Sequence, residues 1–273
     1  MLIPITTSAD VRWFREGPIP ENLMVWFKRS QDLHEEARQR YLYLPFTHVR
    51  TVGFALREGT LDVASLQKSL GLHRFTKNIQ GRIHLWLRWL HKVSEIDREI
   101  RLLFENDRWA NVCEHRHLRK FSLHRGKLSE VRGNDFSAQT ACHVELTEIE
   151  VGAKKFWSFG IEAFGHADHA EETLKTVSTY CFSEQHSPLK RSLNGAQSLP
   201  YPEWILSLRP RPAQSYNEWD ERMIGIRNQA VGNTRKQLNE IRRESLEELE
   251  SLAHKYDRYL SKEELGDIIG RKL

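Results

Sequence analysis

The chain has 273 residues, 39% hydrophobic and 29% charged, enough for one large domain, alone or with an appendage, and against general disorder. A net charge of +4, from 41 basic and 37 acidic side chains, is too mild for the dense basic face that DNA binding requires. Three widely spaced cysteines argue against a disulfide framework or thiolate zinc site, and the absence of a long apolar run or a signal peptide predicts a cytoplasmic protein with no membrane or DNA partner.

In chain order, Asp10 to Arg15 alternates polar with apolar residues and predicts a strand, broken by Gly17-Pro18-Ile19-Pro20. Pro20 suits the first turn of a helix whose apolar stripe is Leu23, Trp26 and Phe27. Arg40 to Leu44 predicts a strand closed by Pro45, and Thr51 to Val63 predicts a hairpin turning at Glu58-Gly59. Gly81 to Trp89 fits a strand better than a helix. As a strand it places Ile83, Leu85, Leu87 and Trp89 on one face and Arg82, His84, Trp86 and Arg88 on the other. Ser94 to Glu105 predicts a helix, and Val112 to Leu123 and Lys127 to Val131 predict two strands.

His143 to Gly165 is the most informative stretch: two strands joined by a Gly-containing turn, with Glu145 and Glu162 set among apolar residues. A buried carboxylate is costly unless it holds a metal, pairs with a cation or accepts several hydrogen bonds. Upstream, His115-Arg116-His117-Leu118-Arg119-Lys120 supplies bases. Acids and bases on neighbouring strands predict a polar-lined β structure that holds an anion. Arg119 and Lys120 are adjacent and so point to opposite faces, and the reading favours Arg119 as the inward one. His115 and His117 share a face and offer two nitrogens to zinc, with no third ligand evident. Trp157 and Phe159 serve either as core anchors or as a base-stacking surface, core being the simpler reading.

Asp168 to Glu171 has capping-box spacing and predicts a helix to about Phe182. A proline-rich segment follows, in which Tyr201 to Leu206 is expected to pack back onto the domain. In the charged tail, Leu246, Leu249, Ala253, Tyr256 and Leu260 form a short heptad-like seam. The division expected is a β domain over 1–206, a linker over 207–215 and a helical extension over 216–273. The seam over 238–260 suits a protein partner, a homodimer or docking within the chain.

Four pieces resemble the CYTH-like superfamily, the closed antiparallel β-tunnels that include triphosphate tunnel metalloenzymes, and within it a largely bacterial branch. They are Asp10-Val11-Arg12-Trp13-Phe14 with its Gly-Pro turn, Val52 to Leu61, Gly81 to Trp89, and Val144-Glu145-Leu146-Thr147 with Trp157 to Gly165. The resemblance spans about residues 9 to 206. It implies an α+β fold, an antiparallel closed β-tunnel with flanking helices and a C-terminal helical tail. It also implies a phosphorylated small molecule as ligand, with Mg2+ or Mn2+ on Asp10, Glu145 and Glu162, and phosphates gripped by Arg12, Arg57, Arg88, Arg116 and Arg119. The family's enzymes carry Glu-x-Glu-x-Lys on the first strand, where this chain reads Ser8, Asp10 and Arg12. Ala55 and Glu114 also stand where bases are usual. Three functions remain open: metal-dependent triphosphate hydrolysis, phospho-ligand binding without turnover, and a scaffold for the helical tail.

Overall fold

The computed structural model describes residues 5–30, 33–43, 52–57, 60–92, 110–124, 126–131, 141–165, 167–183, 187–193 and 196–208. The helix expected over 94–105, the Glu58-Gly59 turn, most of the linker and the extension with its 238–260 seam lie outside them. In chain order the elements are β1 (Ile5–Glu16), α1 (Glu21–Phe27), β2 (His34–Glu35), β3 (Gln39–Tyr43) and β4 (Val52–Arg57). Next come β5 (Thr60–Arg74), β6 (Gln80–Lys92), β7 (Ala110–His124), β8 (Lys127–Glu130), β9 (Ala141–Val151) and β10 (Lys154–Phe164). The last are α2 (Ala167–Ser183), α3 (Leu189–Ser192), β11 (Gln197–Ser198) and α4 (Tyr201–Ser207).

Eight of the strands close into an antiparallel barrel in the order β1-β10-β9-β7-β3-β4-β5-β6, the ring being completed where β6 pairs with β1. Closure removes the exposed edges that would otherwise template pairing with another chain. β2 and β8 add to β7, and β11 adds to β1. The fold expected from the sequence, a closed antiparallel β-tunnel with flanking helices, is the one observed. β5 extends well past the expected end at Val63 and stays paired with β6 through two register shifts, at Leu66/Lys68 and Ser69/Gly71. α2 starts one residue before Asp168.

The side-chain period of two sorts each strand into an outward apolar face and an inward polar one. On β1, Ala9, Val11 and Trp13 face outward; Asp10 and Arg12 face inward. The main core therefore lies outside the barrel, between its wall and the helices. There Leu23, Trp26 and Phe27 of α1, and Ala170, Leu174, Val177, Cys181 and Phe182 of α2, cover Ile83, Leu85, Val144, Leu146, Phe159 and Ile161. Trp157 and Phe159 belong to this core, the first of the two roles weighed for them. Trp13 sits in a cage of Phe75, Phe159 and Phe182, with ring centroids 5.7, 6.2 and 5.8 Å away.

A second apolar cluster occupies the inward parity. Phe14, Val112, Ile149 and Phe156 meet Trp204 and Ile205 of α4, so the helix plugs the lumen where the charged positions give way to apolar ones. Trp204 stacks on Phe14 at 4.2 Å and 5°. Gly53 admits the plug: a Cβ there would lie 2.8 Å from Cγ of Pro202. No helix among the described residues is long and apolar enough to cross a membrane. Trp204→Ala is expected to lower the unfolding free energy by about 3–5 kcal/mol in urea denaturation; a loss below about 1 kcal/mol would show that the plug is not part of the cooperative core.

Candidate functional site: the charged lumen

Inward-facing residues surround a cavity of about 520 Å³. Asp10 and Arg12 come from β1, Arg57 from β4, Asp62 from β5, and Trp86 and Arg88 from β6. Arg116 comes from β7, His143 and Glu145 from β9, and Glu162 from β10. Strand register sets their neighbours. One rung across β1, β10 and β9 reads Asp10, Glu162, His143; the next reads Arg12, Gly160, Glu145.

The second rung is an ion pair that bridges a missing side chain. Arg12 reaches over Gly160 to donate to the Glu145 carboxylate, and its other Nη donates to Ser158 Oγ at 3.1 Å. A Cβ at residue 160 would lie 2.7 Å from Arg12 Cζ and 2.9 Å from Nη2, so glycine is what opens the path. Burial alone would raise the Glu145 pKa, but Arg12 and Arg116 outweigh it and hold the carboxyl at about 2. Glu145 is therefore ionised and committed at neutral pH.

The first rung is the reverse. Asp10 and Glu162 are like-charged cross-strand partners, an arrangement that repels. Burial, with Glu162 adding to it, raises the Asp10 pKa to about 7, against the opposing pull of Arg12, the hydrogen bond from Trp86 and Arg88. Trp86 Nε1 donates to Asp10 Oδ1 at 2.8 Å, and His84 Nδ1 lies 3.9 Å from the same oxygen. Burial holds the His84 and His143 imidazoles below their usual range.

Around these rungs the other bases are tied in differently. Arg88 donates to Glu162 Oε1 at 2.9 Å and to Asp62, whose second oxygen, Oδ1, is buried with no hydrogen-bond partner among the described residues. Arg116 donates to Glu114 Oε2 through Nε at 2.8 Å and Nη2 at 2.6 Å, and lies 5.0 Å from the Tyr41 ring centroid. Glu114 also accepts from Tyr43 at 2.9 Å and from Tyr201 of the plug helix. Burial, with Glu114 beside them, pushes both phenols well above their usual pKa, so they remain donors. Arg57 donates to the neutral Gln39 Oε1 at 2.8 Å and Tyr41 Oη at 3.0 Å. It is the lumen arginine with no carboxylate partner among the described residues.

Asp10, Glu145, Glu162, Arg12, Arg57, Arg88 and Arg116 thus come together on one cavity. Arg119 does not. It lies three residues from Arg116, and odd spacing puts it on the outer face, paired with Glu130 at 2.9 and 3.0 Å and stacked 5.6 Å from Trp26. The expectation that Arg119 faces inward with His117 is corrected: both face outward, and Arg116 is the inward base. The sequence reading missed Asp62, Tyr43 and Tyr201, and it noted Glu114 only as a departure. Asp62 was within reach, since it sits on the hairpin partner of Arg57 at inward parity; Tyr201 was not, because a helix after the barrel carries it inside.

Fold and site together define a class: a closed eight-stranded antiparallel barrel with an apolar outer face and a charged lumen. No protein-family model and no curated protein matches the chain. Among solved structures it is similar to a PH1819 protein from Pyrococcus horikoshii OT3, at 12% identity and a TM-score of 0.35, over 73% of this chain and 99% of that one. That likeness is too distant to carry an inference about function.

Two outcomes follow from the rungs. Asp10 has its folded pKa raised from 3.8 to about 7, so between those values the native state holds a proton that the unfolded state has lost. Its contribution therefore falls as pH rises through that window. Urea midpoints measured from about pH 4 to pH 8 should show this decline flattened in Asp10→Asn; an identical profile in the variant would refute the assignment. Gly160→Ala should displace the Arg12 guanidinium, weaken its bond to Glu145 and lower stability at neutral pH by about 1–3 kcal/mol. Unchanged stability would mean that Arg12 and Glu145 find another path to each other.

Proposed function

We propose that the barrel is a CYTH-like tunnel that binds a polyphosphate-bearing small molecule with Mg2+ or Mn2+ and hydrolyses its terminal phosphate. One observation carries the reading: carboxylates and arginines from seven strands converge on a single plugged lumen of about 520 Å³, the size range of small-molecule sites.

The donor set fits a hard divalent cation. Asp10 and Glu162 repel each other, and one oxygen of Asp62 is buried without a partner, so oxygen ligands stand ready for positive charge. Glu145 is held by Arg12, and Glu162 and Asp62 share Arg88, so Asp62 joins Asp10, Glu145 and Glu162 as a candidate ligand. When bound, the metal supplies charge neutralisation on phosphate oxygens, the main requirement of phosphoryl transfer. Arg57 is placed to grip phosphate with forked donors, and Arg88 and Arg116 add charge beside it. The aromatic plug keeps bulk water from one end.

A second reading, binding without turnover, draws support from the pairing of Arg12, Arg88 and Arg116 with fixed carboxylates, which leaves less charge to stabilise a transition state. Phosphate release separates the two. Tripolyphosphate at about 100 times its dissociation constant should add about 2.7 kcal/mol of stability, only with Mg2+ or Mn2+. Arg57→Ala should weaken that binding at least about tenfold, and Glu162→Gln should abolish both the metal requirement and release. Stabilisation that persists in chelator, or is unchanged in both variants, would defeat the proposal; metal-dependent binding with no release would select the second reading.

A further inference from the structure

The outer wall of the barrel carries a second cluster unrelated to the lumen. His115 and His117 project outward from β7, two residues apart, with ring centroids 4.6 Å apart. β2 supplies what the sequence did not reveal: Glu35 is the direct cross-strand partner of His117. Its Oε1 lies 2.9 Å from His115 Nε2 and 3.8 Å from His117 Nδ1. One donor atom from each of the three residues falls within 4.8 Å of the others. Zinc bonds of about 2.0–2.1 Å set tetrahedral ligand atoms about 3.3–3.4 Å apart, which small side-chain rotations reach from here.

Ordinary hydrogen bonding accounts for only part of this cluster. His115 lies between two carboxylates, Glu35 and Glu148, its partner on β9, whose Oε2 is 3.5 Å from Nδ1. His117 differs. Its side chain is 1% exposed, and among the described residues neither ring nitrogen has a hydrogen-bond partner. Leaving a buried imidazole in that state is destabilising, because its desolvation is not offset by a hydrogen bond.

We propose that Glu35, His115 and His117 form a zinc site on the outer wall. Two imidazoles and one carboxylate are a borderline-soft set that selects zinc over magnesium. Glu35 is 47% exposed on its side chain, so a fourth position opens to solvent. Glu148 supports His115 from the far side, as a carboxylate behind a ligating histidine does. Lys28, 3.9 Å from the other Glu35 oxygen, is the competing cation. The metal would staple the two-residue strand β2 to the barrel wall.

The full chain, stripped with chelator, is titrated with Zn2+ by calorimetry and with Co2+ by visible absorption. One saturable site is expected, with a tetrahedral-type cobalt spectrum, insensitive to excess Mg2+. Glu35→Gln and His115→Ala, both at partly exposed positions, should each weaken zinc at least about tenfold, and the lumen variant Glu162→Gln should leave it intact. No zinc uptake, uptake unchanged in both outer-wall variants, or uptake lost only in Glu162→Gln would overturn the proposal.

Discussion

The ion pair between Arg12 and Glu145 sets the terms for the rest of the lumen. It joins β1 to β9 across β10, and it exists because residue 160 has no side chain to stand in the way. A pair buried this deeply contributes little net stability, since desolvation offsets most of the attraction. Removing one partner is another matter, because the survivor is stranded. The pair thus constrains more than it stabilises, and it holds two strands in a register that brings Asp10 against Glu162 one rung away.

Stability comes from elsewhere. Trp13, Trp157, Phe27, Phe121 and Phe159 are each buried almost completely, and every large apolar side chain so buried is worth about 1.5–3 kcal/mol. All of them belong to the cluster between barrel and helices. The molecule inverts the usual small barrel, keeping its core outside and its charges within. This division lets the lumen carry an electrostatic conflict: one rung is neutralised, and in the next burial, with repulsion from Glu162 adding to it, raises the Asp10 pKa to about 7.

Much of the fold was legible because alternation is local. The inward Asp10, Arg12, Trp86 and Arg88, and the outward Ala9, Val11, Ile83 and Leu85, follow from a period of two that any strand imposes. Closure into a barrel was reached through resemblance, since pairing between β1 and β10 joins residues about 150 apart, a separation local patterning does not report. Arg119 shows where parity was applied from the wrong origin: choosing it over Lys120, which shares the inward parity of Arg116, required knowing which face of β7 met the lumen. Tyr201 and Trp204 were legible as a segment that packs back, but not as the plug.

The sequence by itself determined which residues share a face, because backbone geometry sends successive strand side chains to opposite sides whatever surrounds them. It determined likewise that Glu145 and Glu162 needed partners, because a carboxylate among apolar neighbours cannot stay charged and alone. Only the tertiary structure decided who those partners are. Glu145 found Arg12 and Glu162 found Arg88, while Glu35 came to stand beside His115 and His117 from a strand two residues long. Such contacts depend on register between segments distant along the chain, which long-range packing sets and no nearby residue encodes.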